Sequence, residues 1–329
     1  MSPDNLSCHH AGACTYATVL MGSPIHLTLP QADPALAQRV FARIAQLEDA
    51  LTVNREHSEV MAINRAAGQH PVVVSQRLFN LIKRARDVSL LADSAFNVAI
   101  GPVVKCWKVG FQGQRVPAAE TLSAALALTD PRQIVLNEQA SSVFLALTGM
   151  ELDLGAIAKG YVADVIKQFL YQQHCYHALL NLGGNVQTLG RPRHTMQAGW
   201  SIGLQKPFGA NGELLGVIQV VDKSVVTSGI YERYFECDGR RYHHIFDPRT
   251  GYPLDNELLS VTIISDASIE GDIYTTLLYG MGVEKGLAYL SQHPEIEAIF
   301  VTHDQRIILS SQRHCHFTLR DTQYTLALM

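Results

Sequence analysis

Two hydrophobic rhythms divide the chain. In the first, apolar residues return every three or four positions. Leu36, Val40, Ile44, Leu47 and Leu51 form such a stripe, with Asp33 placed to cap it and Pro34 at the first helical position, which predicts a helix. A second helix is predicted from Ser75, with Leu78, Leu81, Ile82, Ala85 and Val88 on one face, and a shorter third within 117–129. The second rhythm consists of short Val/Ile/Leu-rich runs bounded by turn residues. Residues 15–30 read as one or two strands, and 142–149, 177–184, 200–207, 214–222, 259–265 and 296–304 as one strand each. Helices are predicted at about 158–173, 268–281 and 283–293. Helices dominate the first half and strands the second, which favours an α+β (mixed α/β) architecture over strict βαβ alternation.

Composition narrows the class. The chain has 329 residues, 47% hydrophobic and 17% charged, with a net charge of −4, so it can bury a sizeable core. Neither a basic patch nor a block of like charges points to nucleic acid. No apolar run approaches the roughly 20 residues of a transmembrane helix. The first 14 residues lack a basic region followed by an apolar one, so they read as a flexible segment ahead of a single domain spanning 15–329, and the expected location is cytoplasmic. Six cysteines without framework spacing read as reduced thiols. Cys8, His9, His10 and Cys14, and likewise His314, Cys315 and His316, have soft-metal chemistry but lie near chain ends, where solvated residues are the alternative.

Five segments could carry chemistry. "LDLGAIAKGYVAD" (152–164) reads as an apolar strand ending at Asp153, then a turn with Gly155, Lys159 and Gly160 leading into a helix. If that helix begins at Ala156, its free N–H groups suit an anion that Lys159 also reaches; the alternative is a plain turn with a solvated lysine. Gly183-Gly184 is a hairpin turn or a glycine edge against which a ligand packs. In 227–255 a "CDGR" turn predicts a hairpin, so His243 and His244 face opposite ways and at most one points at a given site. Asp272 and Thr276, at i and i+4 on a predicted helix, offer a hard-oxygen pair suited to Mg²⁺ completed by water and phosphate, or simply a polar helix face. In 94–110, "IGP" marks a turn, and Phe96 and Trp107 could stack on a ring or pack in a core.

Taken in order, these segments resemble the ApbE-type flavin transferases. The resemblance rests on "MGSP" (21–24), "HSEVMAIN" (57–64), "AFNVAIGP" (95–102), "DLGAIAKGY" (153–161), "NLGGN" (181–185), "TSGIYERYF" (227–235), "HHIFDPRTGYP" (243–253) and "DIYTTLLYGMG" (272–282), which together cover nearly the whole chain. It implies an ApbE-like fold of largely antiparallel sheets flanked by helices. It also implies an enzyme that uses Mg²⁺, or Mn²⁺, to split FAD and move FMN to a threonine or serine hydroxyl of an acceptor flavoprotein, releasing AMP. By resemblance, Ala156, Asp272 and Thr276 surround the metal. Met21, Asn54, Ala95, Phe96, Asn97, Asp153, Lys159, Gly183, Gly184, Ser228, Gly229 and Ile245 contact FAD. Lys159 neutralises phosphate charge, His244 is the first candidate base and Asp247 the second. The rival readings are an FAD pyrophosphatase and a non-catalytic FAD carrier. Two positions depart from the family pattern: Asn97 replaces an aspartate and loses a charge, and Asn54 replaces an aromatic and loses a stacking face.

Overall fold

The computed structural model describes residues 6–8, 13–53, 55, 57–110, 113, 115–193, 198–210 and 212–328; Asn54, His9 and His10 lie outside the described residues. Helices form where the sequence supplies both a stripe and a cap. In α1 (Pro34–Leu51) the Asp33 carboxylate accepts the Leu36 N–H at 2.8 Å, and Leu36, Val40, Ile44 and Leu51 are buried. After it come α2 (Glu59–Arg65), α3 (Gln76–Ser89, capped by Ser75), α4 (Gly101–Trp107), α5 (Ala119–Leu126), α6 (Ala158–Gln172) and α7 (Ser268–Leu290).

A ten-stranded sheet forms the spine. In spatial order its strands are Leu6–Cys8, Cys14–Leu20, Ser23–Leu29, Ala178–Leu182, Asn185–Leu189, Ser224–Gly229, Leu258–Ser265, Glu297–Thr302, Arg306–Leu309 and Thr325–Leu328. Every pairing is antiparallel except the last, so the fold is α+β with largely antiparallel sheets, as expected. Asn185–Leu189, Leu258–Ser265 and Glu297–Thr302 are buried along their whole length, which means both sheet faces are covered there. Two three-stranded sheets and the hairpin Tyr234–Cys237/Arg240–His243 complete the strands. Leu6–Cys8, from the segment set apart in the sequence, pairs with Cys14–Leu20.

Three local expectations change. "IGP" does not end in a turn: Pro102 sits in the first turn of α4, where its missing N–H costs nothing. The apolar run ending at Asp153 is not a ladder strand. The Leu152 N–H goes to the Asn64 side chain on α2 and the Asp153 N–H to the Val98 carbonyl, single bonds that tether it to a helix and to a turn. The following helix starts at Ala158, two residues later than Ala156. The helices predicted at 268–281 and 283–293 both form, as two segments of α7 separated at Gly282 (φ 74°), and the Glu257 carboxylate accepts the Val283 N–H where the second begins.

Helices α6 and α7 pack on each other, and α7 lies on Ser224–Gly229 and Leu258–Ser265. Each caps the other. Asp164 of α6 accepts the Ser268 and Ile269 N–H groups at 2.7 and 2.9 Å, while Asp272 of α7 accepts the Gly160 N–H at 2.6 Å. The crossing is close enough that a Cβ at Gly160 would lie 2.4 Å from the Ser268 carbonyl oxygen. That oxygen belongs to backbone and cannot turn aside. Gly160→Ala is therefore expected to lower unfolding free energy by about 1–3 kcal/mol, read by urea denaturation. A variant as stable as the parent would mean that the crossing tolerates separation.

Candidate functional site

The bend between Asp153 and α6 is shaped by side chain and main chain together. Asp153 Oδ1 accepts the Gly155 N–H at 2.7 Å and tightens the turn. In a regular helix Gly160 would donate to the Ala156 carbonyl, but here its N–H goes to Asp272. No described residue donates to the Ala156 carbonyl, and Ala156 lines a cavity of about 220 Å³. Lys159 reaches over the same space, its Nζ 3.4 Å from the Gly183 carbonyl.

Asp272 forms the opposite wall. Oδ2 takes the Gly160 N–H and Oδ1 takes the Asn185 amide at 2.9 Å. Behind Asn185 runs a buried relay: Ser224 Oγ donates to Ser268 Oγ, which donates to Asn185 Oδ1 and thereby points the Asn185 NH₂ at the carboxylate. Burial pushes the Asp272 carboxyl up to about 7, against the two hydrogen bonds and Lys159, which pull it down. One turn on, Thr276 lines the same cavity. The Ala156 carbonyl, the Asp272 carboxylate and the Thr276 hydroxyl are all hard oxygens. Such a set suits a cation like Mg²⁺ that keeps water and phosphate as further ligands. Among the described residues no group of three or more His, Cys, Asp or Glu side chains could cage a metal unaided. At the other cysteine–histidine stretch, Cys315 is buried while His314 and His316 are exposed, so the three do not converge.

The third wall separates the two histidines. His243 is buried and both its ring nitrogens are engaged: Nδ1 accepts the Ile245 N–H at 3.2 Å and Nε2 donates to the Leu254 carbonyl at 2.8 Å. It therefore serves the backbone. His244 lines the cavity, with Nδ1 3.2 Å from the Arg233 carbonyl. A carbonyl only accepts, so Nδ1 carries the proton and Nε2 keeps its lone pair. Burial lowers His244 to about 4, which keeps it neutral around neutral pH.

The cavity gathers Ala95, Asn97, Asp153, Ala156, Lys159, Gly183, Ser228, His244, Ile245, Asp272 and Thr276 of the residues named from sequence. The Asn97 amide is already engaged: its NH₂ donates to the Thr129 carbonyl at 2.8 Å and its oxygen accepts the Ala99 N–H at 2.9 Å. An aspartate could not make the first of these bonds. Met21, Phe96, Gly184, Gly229 and Asp247 are not on the wall. Phe96 is a correction, because its ring is 2% exposed and packs in the main core. Trp107 is likewise core, its indole N–H donating to the Gly251 carbonyl. Asp247 pairs with Arg249 within its own loop, through both carboxylate oxygens. The Gly184 N–H is held by the Asn181 side chain. Of the wall residues that escaped the sequence reading, Asn185, Glu232 and Arg233 carry an amide or a charge. All lie inside quoted segments, yet nothing local marks an Asn in a turn or a Glu-Arg pair beside a strand as facing a lysine far away in sequence.

Comparison with known proteins agrees with this architecture. The ApbE family matches residues 21–300, and the chain belongs to that family. A Klebsiella pneumoniae (strain 342) protein named FAD:protein FMN transferase is 57% identical over 310 residues, covering 94% of this chain and 96% of its own. A Treponema pallidum (strain Nichols) protein of the same name is 40% identical, covering 84% and 80%. The crystal structure of Pseudomonas stutzeri flavinyl transferase ApbE, in its apo form, superposes with a TM-score of 0.76 at 28% identity, covering 93% of each chain.

His243 generates a pH prediction. Its folded-state value falls from 6.5 to about 4 through burial, so protons bind the unfolded chain more tightly. Stability from this group is complete above about 6.5 and is lost as pH falls through about 4, a swing of about 3 kcal/mol. Urea unfolding between those pH values should show this acid loss in the parent and a shallower slope in His243→Gln. Equal slopes would remove the assignment.

Proposed function

We propose that the chain transfers FMN from FAD to a threonine or serine hydroxyl of an acceptor flavoprotein, with Mg²⁺ or Mn²⁺ required and AMP released. The chain is an enzyme of the transferase kind its relatives are named for. The observation that carries the finer reading is the convergence on one cavity of a carbonyl without a donor at Ala156, a desolvated Asp272 carboxylate, Lys159, and the free Nε2 of His244.

The proposed reaction uses these groups as follows. FAD lies with its diphosphate over the bend at 155–160 and its ring system toward Ala95, Asn97 and Ile245. Phosphoryl transfer asks the protein mainly for position and charge neutralisation. Lys159 places its charge against the non-bridging oxygens. A divalent cation held by the Ala156 carbonyl, Asp272 and Thr276 would supply the rest of the neutralising charge. His244 Nε2 takes the proton of the incoming hydroxyl as that oxygen bonds to the FMN-side phosphorus. The bond from this phosphorus to the bridging oxygen breaks, and AMP leaves with that oxygen. No described helix is long and apolar enough to cross a membrane.

Incubation with FAD and Mg²⁺, with and without an acceptor flavoprotein, tests this. Flavin fluorescence on the acceptor in a denaturing gel is expected. FMN freed without acceptor would favour an FAD pyrophosphatase, and intact FAD a carrier. Asp272→Ala should abolish metal-dependent turnover; full activity would remove the metal assignment. His244→Asn should lower the transfer rate by about 10²-fold or more while changing FAD affinity much less. Because His244 is held near 4, the rising limb of the pH–rate profile should not fall at the 6.5 of an ordinary histidine.

A further inference from the structure

Glu232 is the wall residue the proposed reaction leaves without a task. It sits in the short link between the strand Ser224–Gly229 and the hairpin strand Tyr234–Cys237. That link is tied down: the Ile230 N–H goes to the Leu259 carbonyl, the Glu232 N–H to the Gly229 carbonyl, and the neighbouring Arg233 carbonyl receives His244. Glu232 lines the cavity; the residue as a whole is exposed to solvent, while protein atoms pack closely round its carboxyl group. No described side chain hydrogen-bonds to it; only the charges of Lys159 and Arg233 act on it. Loss of hydration lifts its carboxyl to about 7, and Lys159 and Arg233 oppose that rise.

The ionisable groups of the wall are Asp153, Glu232 and Asp272 against Lys159 and Arg233, with His244 neutral. Three carboxylates facing two cations leave the cavity negative when all are ionised. A doubly negative diphosphate entering alone adds to a charge of its own sign, inside walls that screen poorly. Lys159 would be the natural anchor for such a ligand, and Glu232 is the first charge acting on it.

We infer that Glu232 is a specificity-determining residue that makes the cavity reject a bare dinucleotide diphosphate and accept one neutralised by a divalent cation. This rests on the FAD reading of the site. Without Glu232, Lys159 and Arg233 balance the two remaining carboxylates, and the penalty on the metal-free ligand falls. With the cation present, the ligand brings its own neutralising charge and Glu232 matters little.

Equilibrium dialysis of FAD against the purified full chain, at a pH near 8 where a group near 7 is ionised, in EDTA and in excess Mg²⁺, is the test. Glu232→Gln is expected to tighten FAD binding in EDTA about tenfold and in Mg²⁺ about twofold or less, shrinking the ratio of the two affinities. Glu232→Asp, which keeps the charge, should hold the parent ratio. So should Glu236→Gln, whose carboxylate pairs with Arg241 outside the cavity. Melting curves check that the variants fold, and Glu232→Ser stands in if the glutamine variant does not. A parent ratio retained in the neutral variant overturns the inference while leaving the FAD reading intact. Failure of the parent chain to bind FAD in either condition overturns both.

Discussion

One carboxylate organises the site. Asp272 lies at the crossing of two helices and takes the N–H that would otherwise close the first turn of α6. That bond does three things at once. It caps α6 from a neighbouring helix and so fixes the crossing. It leaves the carbonyl of Ala156, a residue of the cavity wall, with no donor. It also holds a negative group where water is scarce, the condition that makes a carboxylate favour a proton or a cation. Gly160 permits the arrangement, since any side chain there would meet α7 backbone. The relay through Asn185, Ser268 and Ser224 then orients the remaining partner, so the carboxylate has little freedom to swing away.

The hairpin that ends in His243-His244 divides labour by the elementary alternation of a strand. His243 faces inward and spends both nitrogens on backbone groups, which fixes how the chain turns into the 245–253 loop. His244 then faces the cavity with its tautomer set by the Arg233 carbonyl. Trp107 steadies the far side of the loop through the Gly251 carbonyl, within a small aromatic core separate from the main one. A rigid loop behind a histidine is what a proton acceptor needs, because its lone pair must be aimed before the substrate arrives.

Much of this was legible in the sequence because it is local. The helical stripes with Asp33 and Ser75 as caps, the glycine turns, the opposed histidines and the i, i+4 relation of Asp272 and Thr276 depend on residues a few positions apart. What sequence reading missed depends on distant partners. The run ending at Asp153 reads as a strand, but the groups it meets belong to Asn64 and Val98, not to a ladder. Phe96 carries a ring that could stack on a flavin, yet the main core claims it. Glu232 gains its meaning only from Lys159 across the cavity. Resemblance to a family located the segments; the geometry sorted the residues within them.

The claim at the centre is that Asp272 and the Ala156 carbonyl together seat a divalent cation against the diphosphate of FAD. Crystals of the full chain grown with FAD and Mn²⁺, measured for anomalous scattering at the manganese edge, address it directly. The account predicts a single strong peak about 2.0–2.2 Å from an Asp272 oxygen and from the Ala156 carbonyl, in contact with a phosphate oxygen. Bound FAD with no peak there, or with the ion seated instead between Asp153 and Glu232, would contradict it.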